Sequence, residues 1–135
     1  MEVKNFSKVS HSFYKVVHSE AKIEELIETI KANKLPTSER YAYQAFCYAM
    51  MAKEASSMIQ KGKYIQQYGE FINKAMIIEN DCYEARLFRF IVEKRLENVG
   101  FISHQQMDKE FLSVNMNLMN DDCLKHITQK ALENE

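Results

Sequence analysis

The chain has 135 residues, with 18 Lys and Arg against 19 Asp and Glu and a formal net charge of -1, which fits a single domain over 1–135 with room for a core. Only 3 Gly and 1 Pro are present, which rules out sandwiches, barrels and Rossmann sheets with their glycine-bearing turns and makes the fold class all-α. The balanced, dispersed charge speaks against a dedicated nucleic-acid binder, and the longest uncharged run, Tyr41 to Ala52, is well short of the roughly 20 apolar residues of a membrane helix.

Seven helices are predicted in chain order. Phe13, Tyr14, Val16 and Val17 mark a first short one. Ser19 is expected to cap a second, in which Ile23, Leu26, Ile27 and Ile30 recur at helical spacing. Pro36 ends that segment, because proline disfavours the helical conformation in the residue before it. Thr37 or Ser38 then caps a long helix to about Gln60, with Tyr41, Ala45, Tyr48, Ala49, Ala52 and Ala55 as a small-residue stripe. Lys61-Gly62-Lys63 reads as the next break. Beyond it Tyr64, Tyr68, Phe71, Ile72, Ala75, Met76 and Ile78 form the cleanest amphipathic pattern in the chain. Asp81 and Glu84 have the spacing of a capping box for a helix from Cys82 to about Asn98, closed by Gly100. Ser103 and Gln106 suggest a second box opening a helix to about Leu118, and Asn120 or Asp121 begins the last. Short connections imply antiparallel hairpins.

Gly62-Lys63-Tyr64, then Phe71 to Asp81 with Asn73-Lys74-Ala75-Met76 inside it, then Glu84-Ala85, resemble the second half of a tetratricopeptide repeat. The resemblance implies a glycine turn at Gly62, a helix carrying an aromatic followed by Lys-Ala, and a polar turn into the next helix. Asn80 stands where the repeat usually has proline, and Gly62 and Gly100 are 38 apart against about 34 for the usual repeat. The run Glu84-Ala85-Arg86-Leu87-Phe88-Arg89-Phe90, followed by Leu96 to Phe101 and by Asp108-Lys109-Glu110-Phe111-Leu112, is similar to a group of small, uncharacterised bacterial helical proteins with the same Arg-x-x-Arg-Phe helix. This second resemblance implies a bacterial helical fold and carries no activity.

No catalytic residues are predicted, since no nucleophile elbow, phosphate loop or zinc-protease signature occurs. Cys47, Cys82 and Cys123 are widely spaced and read as buried thiols of a reduced core. Cys123 and His126 have a spacing that could supply two metal ligands, but two further partners are missing, so no metal and no cofactor are expected. His11 and His18, seven apart, are expected at the surface or at caps. The Met-rich stretch from Phe111 to Met119 is expected to be buried or interfacial.

The leading expectation is a non-catalytic interaction module that binds a protein or peptide partner, or a second copy of the chain, in a groove between helices. Arg86, Arg89 and Phe90 are its candidate partner-binding residues, because arginine's planar fork suits a carboxylate and arginine with aromatics recurs at binding hot spots. No nucleic acid and no membrane are expected as partners. The competing expectation is a small helical-bundle enzyme or ligand-binding protein with a site between helices. The N-terminal Met-Glu-Val-Lys-Asn-Phe-Ser-Lys carries no apolar stretch, so the expected location is the cytoplasm.

Overall fold

The computed structural model describes residues 3–96 and 103–134. Among these residues there are seven α-helices and no strand: α1 (Lys8–Val17), α2 (Ile23–Ala32), α3 (Thr37–Glu54), α4 (Met58–Ile78), α5 (Tyr83–Leu96), α6 (Gln105–Asn115) and α7 (Asp122–Glu133), with a 3-10 turn at Met116–Leu118 before α7. No described helix is long and apolar enough to cross a membrane.

Local chemistry explains most of the boundaries. Ser7 caps α1, its Oγ accepting from the Ser10 N–H at 3.0 Å while the Ser7 N–H donates to Ser10 Oγ at 3.1 Å. Ser19, expected to cap α2, has another task. It sits at φ 60 in the left-handed region, where its N–H donates to the Val16 carbonyl at 3.1 Å and the chain leaves α1. The α2 N-cap is Lys22, which makes no side-chain capping bond, and Glu24 and Glu25 in the first turn face the positive end of the helix dipole. The α6 box is likewise replaced: the N-cap is His104, and Ser103 Oγ accepts from the Gln105 N–H at 3.1 Å. Asp121 caps α7 as expected, accepting from the Cys123 and Leu124 N–H groups. The predicted end of α5 near Asn98 and the closure at Gly100 lie outside the described residues.

The largest departure is at Gly62. The predicted long helix stops at Glu54, Ala55 turns to an extended ψ of 139°, and Ser57 caps α4 by accepting from the Gln60 N–H at 3.1 Å. Gly62 therefore lies inside a 21-residue helix and makes no turn. The Ser56-Ser57 pair supplies the break, because serine hydroxyls compete for backbone hydrogen bonds and favour a cap over a helix interior.

α3 and α4 run antiparallel. Tyr41, near the start of α3, meets Phe71 late in α4 at 5.7 Å between ring centroids, while Tyr48 meets Tyr64 at 6.4 Å. Tyr68, Ile72 and Ala75 are buried as their spacing predicts, and Phe71 is half-buried against these tyrosines. Phe13, Phe46 and Phe88 interlock at 4.8–5.3 Å between centroids, and Tyr43 lies against Phe88 at 5.1 Å. This cluster ties α1 and α3 to α5, and burying each ring contributes about 1.5–3 kcal/mol. α5 is the axis of the domain, with every residue from Cys82 to Phe90 buried.

α7 comes back to pack on α1 and α5. Asp121 Oδ2 accepts from the Ser7 N–H at 3.1 Å and from Ser10 Oγ at 2.5 Å. Asp122 Oδ2 accepts from the Lys4 and Asn5 N–H groups, both at 2.9 Å, which holds its carboxyl below the usual range.

Candidate functional site

The Arg-x-x-Arg-Phe stretch lies inside the molecule. Arg89 forks onto Asp108 of α6, Nε to Oδ2 and Nη2 to Oδ1 both at 2.8 Å, and Asp108 is 0 % exposed. Burial alone would lower the Arg89 pKa, but Asp108 beside it raises it, so the guanidinium is firmly charged. Arg86 reaches the same carboxylate with Nη1 at 3.3 Å, donates Nε to the Asn80 carbonyl at 3.0 Å and stacks over Phe111 at 4.8 Å. Phe90 is in the core, and its carbonyl accepts from Gln105 Nε2 at 2.9 Å. Glu93, one turn on, accepts from the His104 N–H at 2.6 Å and lies 2.9 Å from the His104 ring. The polar face of α5 thus holds the start of α6: Arg86 and Arg89, expected to face a partner groove, turn onto Asp108 of α6, and Phe90 lies in the core.

Cysteine and histidine are also placed structurally. All three thiols are buried and free. Burial pushes Cys47 and Cys123 up to about 12 and Cys82 up to about 11, so none is a ready thiolate. His126 lies against Tyr14 at 5.3 Å and His18 at 5.4 Å, and desolvation, then His18, lowers its pKa. His11 stacks on Phe6 at 4.4 Å. Among the described residues no three of His, Cys, Asp and Glu form a group that could hold a metal ion.

The groove lies elsewhere. Between α3, α4 and the later half of α5 is a cleft of about 700 Å³. Phe46, Ala52 and Val92 are its deep residues, and Ala49, Met50, Ile65 and Ile91 are half-buried along it. It exists because the α3 stripe ends in Ala49 and Ala52 opposite Gly62 of α4. A Cβ placed on Gly62 would meet no heavy atom within 4 Å. Met58, 81 % exposed, stands at the rim with the exposed Ile59 next to it in the chain. Among the described residues the charged ones lining the cleft are Lys53, Lys61 and Arg95, with no carboxylate. Among the described residues none of these three cations forms an ion pair. Sequence reasoning missed the site because it took Gly62 for a turn. The signal available was the coincidence of small residues on α3 with a glycine and two methionines.

A second, polar cleft of about 410 Å³ opens at the start of α7, lined by Glu39 and Tyr43 of α3, Glu84 of α5 and Asp121. Glu84, whose spacing suggested a capping box with Asp81, is buried here against Glu39.

No family model, no curated protein and no solved structure matches the chain.

Proposed function

We propose that the protein is a non-catalytic interaction module of helical hairpins, related in plan to tetratricopeptide units, and that its apolar cleft receives a helical segment of a partner protein. The partner segment carries an apolar stripe flanked by Asp or Glu. The observation behind this reading is the charge pattern of the cleft: an apolar interior whose charged lining among the described residues is Lys53, Lys61 and Arg95, with no carboxylate. An amphipathic helix laid into such a groove buries its apolar face while its acidic margins meet the cations, which sets orientation and association rate. Met50 and Met58 suit this task, since flexible thioethers adapt to the shape of an incoming side chain.

A synthetic 18-residue amphipathic peptide with Leu on one stripe and Glu at its margins is the probe (a length of about five turns), with a Lys-margined copy as control. The Glu peptide is expected to bind, more weakly as salt is raised, because exposed charges are screened over about 10 Å at 0.1 M. Gly62→Leu, which fills open space, is expected to abolish binding with no loss of stability. Equal binding of the Lys peptide would overturn the reading. So would a concentration-dependent dimer that Gly62→Leu dissociates, since the cleft would then serve a second copy of the chain.

A further inference from the structure

The polar cleft is a separate feature from the groove. Tyr43 is 1 % exposed, yet none of the described residues hydrogen-bonds to its hydroxyl. Tyr43 lines the cleft together with Glu39, Glu84 and Asp121, and burial, then the charges of these carboxylates, push the phenol far above its ordinary pKa. Glu84 is 9 % exposed, and its carboxyl meets the carboxyl of Glu39 and a single backbone N–H, its own. Among the described residues no Lys, Arg or His lines the cleft. A buried carboxylate ordinarily has a cation or a set of N–H donors, and leaving it without either is costly. Here the compensation is a shared proton: burial and the hydrogen bond to Glu39 push Glu84 up to about 8.

We propose that this cleft binds an aliphatic primary ammonium group, with Glu39, Glu84 and the Tyr43 hydroxyl oxygen as acceptors and Asp121 as an additional negative charge. An ammonium has three N–H donors and no acceptor, which matches three acceptors at one place better than the planar fork of a guanidinium does. Asp121 contributes charge alone, because its oxygens already accept from Cys123, Leu124, Ser7 and Ser10. A divalent metal fits poorly, as no three of these carboxylates form a metal-binding group. Leu35, Met119 and Leu124 complete the lining and offer an apolar surface for the alkyl stem. The ammonium replaces the proton shared by Glu39 and Glu84, so binding releases that proton and strengthens as pH rises. The groups facing the pair are Tyr43 from α3, Asp121 before α7 and the Ser7 side of the α1 cap.

The test is calorimetric titration with two probes, 1,5-diaminopentane and N-acetyl-lysine amide, at constant ionic strength. Each is expected to bind at one site and up to about 50-fold more tightly at pH 8 than at pH 6, with proton release visible across buffers of different ionisation heat. The tighter probe names the source, a free diamine or a lysine side chain. Glu84→Gln and, independently, Glu39→Gln are expected to weaken binding about tenfold or more, and Glu84→Gln to remove the pH dependence as well. Circular dichroism is expected to show both variants folded. Absence of binding by both amines to the folded protein would overturn the proposal. Binding that neither Gln variant changes, or equal competition by magnesium at matched ionic strength, would also overturn it.

Discussion

Asp108 is the residue on which the polar interior depends. It is fully buried, accepts from both Arg86 and Arg89, and is the acid that makes two buried guanidinium groups tolerable. Asp108→Asn leaves two cations facing a neutral amide and is expected to cost about 3–5 kcal/mol in a denaturant midpoint experiment. The joint change Arg86→Met/Arg89→Met/Asp108→Leu, which removes all three charges, is expected to cost less than Asp108→Asn alone. Glu84 gives the opposite lesson. Its folded-state pKa is raised from 4.5 to about 8, so the native state holds a proton that the unfolded chain releases. Its contribution is present below about pH 4.5 and is lost as pH rises toward about 8, with a slope of at most about 1.4 kcal/mol per pH unit. Glu84→Gln is expected to flatten that slope and to stabilise the protein most at pH 8, as read from melting temperature against pH.

Among the helices, α4 carries the most instructive anomaly. It holds two of the three glycines of the chain, Gly62 and Gly69, and neither would bring a Cβ within 4 Å of another heavy atom. Glycine in a helix interior is less stable than alanine by about 0.5–1 kcal/mol because it loses more backbone freedom on folding. Gly69→Ala and Gly62→Ala are each expected to raise stability by about that amount in a chemical denaturation series. Glycine was legible in the sequence as an interruption, but an interruption of what was not. A turn and a gap in a helix surface use the same residue, and only the Ser57 cap upstream distinguishes them. α2 and the stretch of α4 from Tyr64 on are where their apolar periodicity puts them, because a stripe at helical spacing has one way to bury itself, whereas the start of α4 at Met58 lies ahead of that stripe.

Across the whole molecule the thiols report how the domain opens. Cys47 lies in α3, Cys82 just before α5 and Cys123 in α7, all buried and all pushed by burial well above the pKa of a free thiol. They belong to three places in one cooperative core, so a chromogenic disulfide reagent is expected to leave all three unlabelled in the native protein. All are expected to react together when stopped-flow unfolding exposes the core. Labelling of Cys123 ahead of the other two would show that α7 detaches from α1 as a separate unit. The clasp of Asp121 and Asp122 on residues 4 to 10 argues against it.

The all-α class and the existence and approximate order of the helices were determined by the sequence alone, because they follow from local quantities: few helix breakers, apolar residues at helical spacing, and capping side chains within a turn of the backbone they serve. The site was not local. Arg86 and Arg89 have the composition of a binding strip, and only the arrival of Asp108, 19 residues beyond Arg89, turns them inward. Glu39, Glu84 and Asp121 are unremarked carboxylates along the chain, and packing brings them to one cleft. A charged side chain has the same chemistry whether it points to water or into a core, and which one it meets depends on residues that approach only when the chain has folded.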